Sequence, residues 1–258
     1  MLMDLLVTTL ALSLIIGVRY LLVGVTTHWL LWAGPGRGRQ LNHKAPAVKR
    51  IRAEIIASLI SCPIYALPAA LVLEAWKRGG TAIYGDVHAW PLWWLPVSFV
   101  VYMLAHDAFY YWVHRGLHHP RIFAWAHAEH HRSRDPSAFA SFAFDPAEAV
   151  ATAWFLPALA LFVPIHWGVA LALLTLMTAT AVLNHAGREV WPASWLSRAP
   201  LSWFITATHH DAHHKRFNGN YGLYFQMWDR WASTEVSSQR KGGEEAITPA
   251  SSAPRSRP

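Results

Sequence analysis

The chain has 258 residues, of which 53% are hydrophobic and only 14% charged, with 15 Trp and a formal net charge of +7. That balance fits a bilayer protein and not a soluble domain of this length. The single cysteine, Cys62, excludes disulfides and thiolate metal sites, and the basic residues lie beside apolar segments, where they read as topology signals and lipid attraction and not as a nucleic-acid surface.

The opening apolar run, residues 5–33, is longer than the roughly 7–15-residue core of a signal peptide and lacks a basic leader, so a retained span is expected, interrupted by Arg19. A loop over residues 34–53 follows, carrying Arg37, Arg39, Lys44, Lys49, Arg50 and Arg52 without an acidic residue, which places it in the cytoplasm. Residues 55–73 are uncharged and about long enough to cross a hydrocarbon core, with Pro63 and Pro68 expected to kink them. A third run, residues 92–113, has Trp90, Trp93 and Trp94 at one end and Tyr110, Tyr111 and Trp112 at the other, as two interfacial belts would. It delivers His114 to the membrane surface. Residues 149–184 span about 36 residues, roughly 54 Å as one helix, too long for one crossing. Two antiparallel spans or a re-entrant pair turning at Pro164 are expected, which returns every histidine-rich segment to the cytoplasmic side. From residue 233 onward Ser, Gly, Pro and charge predict a disordered tail.

His-x-x-His-His occurs twice, at His127–His131 and His210–His214, beside His114-x-x-x-His118. With 16 His in the chain, one such run is expected by chance only about 0.05 times. On a helix, residues three and four apart share a face, so each run is expected to project its three imidazoles in one direction, toward a metal that suits nitrogen ligands. Eight such imidazoles exceed the four ligands of a structural zinc and imply two ions. His28, His43, His88 and His166 are isolated and read as interfacial or hydrogen-bonded residues.

The motifs Asp107-Ala-Phe-Tyr-Tyr-Trp-Val-His114-Arg-Gly-Leu-His118, His127-Ala-Glu-His-His131, Asn184-His185-Ala-Gly187 and His209-His-Asp-Ala-His-His214, followed by Asn220-Tyr-Gly and Trp228-Asp229, resemble the fatty acid hydroxylase/sterol desaturase superfamily. The resemblance runs from about residue 102 to 229; the first hundred residues match only as generic spans. It implies an all-α integral membrane bundle with about four to five membrane-embedded helices and a cytoplasmic histidine-rich helical cap, using two iron ions and dioxygen to hydroxylate or desaturate a lipid (fatty acyl, sterol, sphingoid or related). The ligands it implies are His114, His118, His127, His130, His131, His185, His210, His213 and His214, with His106, Asp107, Glu129, His209 and Asp211 as channel residues or orienting partners. No catalytic residue beyond the ligands is implied. Asp145 stands where relatives carry the histidine of a His-Pro-x-Glu segment, so a role tied to that histidine is not expected, and Ser233 stands where relatives often place a glycine.

The expected organisation is residues 1–101 as spans and basic loop, 102–232 as the catalytic domain and 233–258 as tail. Without a dinucleotide fingerprint or an iron–sulfur cysteine set, electrons must come from a separate electron-transfer protein or reductase. The partners are that donor and a membrane lipid, with no nucleic acid, and a bacterial inner membrane is favoured over the endoplasmic reticulum. A non-oxidative zinc enzyme and a metal transport or storage protein are the alternatives.

Overall fold

The computed structural model describes residues 2–34, 36 and 38–236, and most of them are helical. Helix α1 (Leu2–His28) continues through one π-helical turn, Trp29–Ala33. After strand β1 (Arg39–Gln40), helix α2 (Val48–Trp76) contains both Pro63 and Pro68 and returns antiparallel to α1, bringing Thr8 Oγ1 2.6 Å from Glu74 Oε1. Leucines such as Leu6, Leu10, Leu14 and Leu22 line the outer face of α1 with more than half of their surface exposed, an arrangement suited to lipid and not to water.

A short strand β2 (Ile83–Tyr84) leads to α3 (Trp94–Leu117), which carries the aromatic-flanked run and extends four residues beyond it. Helix α4 (Phe123–Ala126) is a single turn, and the chain then forms 3-10 turns at His130–Arg132 and Ala138–Phe142. The second turn is wedged between the first two helices, because Tyr20 Oη and Ser58 Oγ both donate to the carbonyl of Phe139, at 2.8 and 2.9 Å. Helices α5 (Pro146–Ala153) and α6 (Phe155–Leu159) are too short to cross a bilayer, so of the two arrangements expected for residues 149–184 the pair of full spans is corrected to a single full-length helix preceded by a shorter, broken limb. The limb before Pro164 is broken helix packed on α2 and α3, and the limb after it, past strand β3 (Ile165–His166), is α7 (Trp167–His185). Strand β3 pairs in parallel with β2, fixing the turn end. Among the described residues, three helical stretches are long and apolar enough to cross a membrane: Leu2–Ala33, Val48–Trp76 and Trp167–His185.

At the opposite end, β4 (Arg188–Glu189) pairs antiparallel with β1, tying the exit of α7 to the exit of α1. Trp32 Nε1 donates to Ala186 O at 2.9 Å, and the Arg188 guanidinium lies 4.5 Å over the Trp32 ring. The loop after α1 is hydrogen-bonded into the histidine-rich region through Asn42 Nδ2 to Pro136 O, Arg50 to Asp135 O and Lys215 Nζ to Leu41 O. Basic loop and histidine region therefore share one end of the bundle. The chain continues through α8 (Ala193–Leu196), α9 (Ala207–Arg216) and α10 (Met227–Trp231).

The expected tail begins too early. Residues 233–236 are tethered, with Thr234 O accepting the amide of Asn220, Val236 N donating to Asn220 Oδ1 and Thr234 Oγ1 2.9 Å from Tyr111 Oη; the rest of the expected tail lies outside the described residues. Ser233 has φ 55°, the left-handed conformation that glycine adopts freely, so a glycine would be less strained at this position. Gly187, at φ 69°, has the same requirement and a second one, since a Cβ would collide with the Asn42 amide. Opposite outcomes are expected from the two sites in thermal unfolding of the detergent-solubilised protein. Gly187→Ala should destabilise by about 1–3 kcal/mol, whereas Ser233→Gly should be neutral or stabilising by up to about 1 kcal/mol.

Candidate metal centre

Helix α3 ends on the site, with His114 in its last turn and His118 at its C-cap. The segment after α4 supplies His127, His130 and His131, α7 supplies His185 from its last residue, and α9 supplies His210, His213 and His214. The imidazoles form two groups, each with ligand atoms within 4.8 Å of one another: His114, His118, His127, His131 and His213 in one, His130, His185, His210 and His214 in the other. The expectation that each His-x-x-His-His run points its imidazoles one way is corrected. His127–His131 is not one helix, since α4 stops at Ala126 and a 3-10 turn starts at His130. Each run gives two residues four apart to one group and the remaining one to the other.

The protonation pattern shows what these groups are built for. The Nδ1 atoms of His114, His130, His185 and His213 face the carbonyls of Tyr221, Ala143, Ala181 and Gly219 at 2.9, 3.3, 2.7 and 2.8 Å. A carbonyl only accepts, so the ring proton sits on Nδ1 and Nε2 is left with its lone pair. His127 Nδ1 lies 2.6 Å from the buried Glu148 carboxyl, which in its charged form would hold the same tautomer. These lone pairs converge: His114 and His127 Nε2 are 3.1 Å apart, His185 and His130 3.5 Å, His210 and His185 2.9 Å, and His214 and His210 3.1 Å. His213 Nε2 is buried with no hydrogen-bond partner. Metal–nitrogen bonds of about 2.0–2.1 Å at tetrahedral or octahedral angles separate ligand atoms by roughly 2.9–3.4 Å, so the spacings fit an ion in each group.

Electrostatics point the same way. Burial, then repulsion from His114, holds His127 and His213 well below the ordinary imidazole range. Burial, then the neighbouring His185, does so for His130 and His210, and burial, then His210, for His214. His118 is pushed down to about 3 by burial and by His114. Neutral, unprotonated imidazoles at ordinary pH are the ligand form.

Of the other residues singled out in the sequence, none belongs to either group. His106 is buried against Phe155, its Nδ1 3.2 Å from Tyr224 Oη. Asp107 accepts the amides of Tyr224 and Phe225 and so holds the loop before α10. Glu129 pairs with Arg132 at the surface, and Asp211 pairs with Lys215; neither contact orients a ligand. His209 joins the capping box of α9 with Thr206 and contacts Gln226 Nε2 at 2.9 Å, a structural role. Asp145 accepts the amide of Glu129 at 2.8 Å, holding the start of the histidine turn. The orienting carboxylate that reasoning from sequence missed is Glu148. Its signal is present in the sequence as the acidic residue that closes the Asp145-Pro-Ala-Glu148 segment.

The partition gives a specific expectation for adjacent residues. His130→Ala and His131→Ala should each lose metal from a different group, so that either single variant retains roughly half the metal and the two together retain almost none, read by elemental analysis of purified protein. Glu148→Gln should weaken metal retention or turnover by about 10–100-fold without removing a ligand, measured by chelator competition.

Residues 99–234 match the family model described as fatty acid hydroxylase, which is more than half of the chain. The chain is 32% identical to lathosterol oxidase of Mus musculus over 198 residues, covering 74% of this chain and 62% of that protein. Lathosterol oxidase of Homo sapiens is 30% identical over 193 residues, with 74% and 62% covered, and a Delta(7)-sterol 5(6)-desaturase of Gibberella zeae is 30% identical over 198 residues, with 76% and 59% covered. The chain thus spans about three fifths of the length of these curated relatives. No solved structure matches it. By its histidine motifs and by the match across the segment that carries them, the chain belongs to the fatty acid hydroxylase family, within the sterol desaturase superfamily.

Proposed function

We propose that this chain is a membrane oxidoreductase that uses dioxygen to hydroxylate or desaturate a lipid C–H bond at a di-iron centre held by the nine grouped imidazoles. The observation that carries this reading is the pair of buried, nitrogen-only groups whose lone pairs face one another. General acids and bases do not remove hydrogen from an unactivated C–H bond, whereas a redox-active ion pair with dioxygen supplies an oxidant that does.

The protein's own residues have three tasks. Four carbonyls and Glu148 hold the ring protons on Nδ1 and aim Nε2 inward. Burial of the imidazoles excludes water and so protects a reactive centre from side reactions. Placement at one end of the spans lets a lipid reach the site without leaving the bilayer. An apolar cavity of about 270 Å³, lined by His118, Pro120, Phe123, Ala124 and Phe217, opens beside the five-membered group. Among the lipids expected from the sequence, the relatives named for lathosterol and Delta(7)-sterols favour a sterol-like ring system. Both outcomes need electrons from outside the lipid, which a separate donor protein supplies. The basic loop and the histidine region share an end, which together with the positive-inside rule supports a cytoplasmic position for both.

The test is purification in detergent with metal analysis, followed by oxygen uptake with a reductant in the presence of a Δ7-sterol or, in parallel, an acyl lipid. Iron at about two ions per chain and oxygen consumption matched to a product changed by one oxygen or two hydrogens are expected. Lipid turnover that proceeds anaerobically, or a zinc-loaded protein active without reductant, would overturn the oxidative reading in favour of a hydrolytic metal enzyme.

A further inference from the structure

The surface between α7 and α10 has no part in the chemistry above, yet it exposes some of the largest apolar side chains in the molecule. Trp191, Trp195 and Trp203 are 41%, 52% and 55% exposed, and Met227 and Trp231, four apart on α10, are 48% and 72% exposed. These residues form one connected surface. Trp191 stacks with Trp195 at 6.3 Å, Gln226 N donates to Trp203 O at 2.8 Å, and Arg230 donates to Ser202 O at 2.7 Å. We propose that residues 190–203 and α10 form an in-plane membrane-contact element, and that its partner is the headgroup layer of an anionic bilayer.

Position identifies the partner. The segment starts directly after β4, whose pairing with β1 fixes it at the level where α1 and α7 end. At its other side, Trp228 of α10 stacks on Tyr111 at 6.1 Å, next to the exposed Trp112 on α3. The element therefore runs between the exits of helices that the lipid surrounds, where tryptophan rings with an apolar body and one N–H donor are stabilised. Charge agrees. Residues 190–203 contain no acidic side chain and carry the exposed Arg198. Two nearby carboxylates are turned inward: Glu189 accepts from Thr206 and Thr208, and Asp229 accepts the amides of Tyr221 and Gly222. A third, Glu235, is partly exposed and pairs with Arg230 of α10 at 3.4 Å. The result is a surface of tryptophan with Arg198 as its exposed cation and with its acids buried or paired. The depth expected for such an element is roughly 5–10 Å below the headgroups. Helix α9, with its three ligand-position imidazoles, lies in the chain between the two halves of this element, so membrane contact on both sides would hold α9 at the bilayer surface.

The test uses full-length protein in phosphatidylcholine/phosphatidylglycerol vesicles. Ser194→Cys and Ser197→Cys add a cysteine without removing a tryptophan, and native Cys62, 2% exposed, stays unlabelled. An environment-sensitive nitrobenzoxadiazole probe at either position should emit to the blue of its position in water, and should be quenched several-fold more strongly by a nitroxide on the lipid near the headgroup than by aqueous iodide. In the Trp195→Ser/Trp231→Ser background, with the unfolding midpoint retained, the ratio should shift toward iodide. Probes that iodide quenches more strongly than the lipid nitroxide would overturn the proposal. So would probes that neither quencher reaches, with the protein crosslinking as a dimer, because the surface would then cover a second copy and not lipid.

Discussion

The constraint on which this structure turns is the placement of the ring protons. A buried imidazole has one donor and one acceptor, and here the donors of His114, His130, His185 and His213 are committed to carbonyls and that of His127 to a carboxylate. What remains is a set of lone pairs packed about 3 Å apart, mutually repulsive and cut off from water. A cation held between them would offset that repulsion, and metal binding would then be coupled to the folding of this region. Helix α9 illustrates the dependence. Its sequence, Ala-Thr-His-His-Asp-Ala-His-His-Lys-Arg, has no apolar stripe, and most of it is nonetheless buried. Ten residues of that composition would not persist as a helix alone.

A second pattern supports the first. Segments that deliver ligands are held by buried carboxylates that accept backbone N–H or hydroxyl donors. Glu54 receives Ser133 and Ser137 after the 3-10 turn, Glu189 receives Thr206 and Thr208 at the start of α9, and Asp107 and Asp229 receive the amides of residues 221–225. Irregular backbone is thus held in place by hydrogen bonds to buried carboxyl oxygens, which satisfy donors that no helix or sheet pairs. The apolar clusters, such as Leu31 with Ala138, Val182 and Ala186, join the span ends to this scaffold without entering it.

Much of this was legible in the sequence for clear reasons. Long apolar runs read as spans, so α1, α2 and α7 were readable from composition, and the two His-x-x-His-His runs pointed to nitrogen ligation by frequency alone. Misreadings arose where local pattern and tertiary contact compete. Residues 149–184 contain enough apolar length for two crossings, yet α5 must present Glu148 to His127, and the limb is broken into short helices packed against α2 and α3. Residues 233–236 look like tail by composition, but Thr234 bonds Asp229 and its carbonyl accepts from Asn220. Asp107, Glu129 and Asp211 were candidates to orient ligands by their nearness to histidine motifs, with His209 a weaker candidate beside them. Their side chains instead contact the Tyr224 amide, Arg132, Lys215 and the capping box of α9 respectively.

The sequence by itself determined the chemistry available: which residues could serve as ligands by type, that nitrogen and not sulfur is on offer to a metal, that the chain lives in a membrane, and which family it resembles. Only the tertiary structure decided how the ligands divide. Successive residues on a helix point about 100° apart, so His213 and His214 cannot share an ion, while His210 and His214 lie on one face and can. Which neighbours complete each set depends on what packs opposite. His114, His118, His127 and His131 meet His213 on one side, and His130 and His185 meet His210 and His214 on the other. These contacts link residues from opposite ends of the catalytic segment, and no local spacing records them.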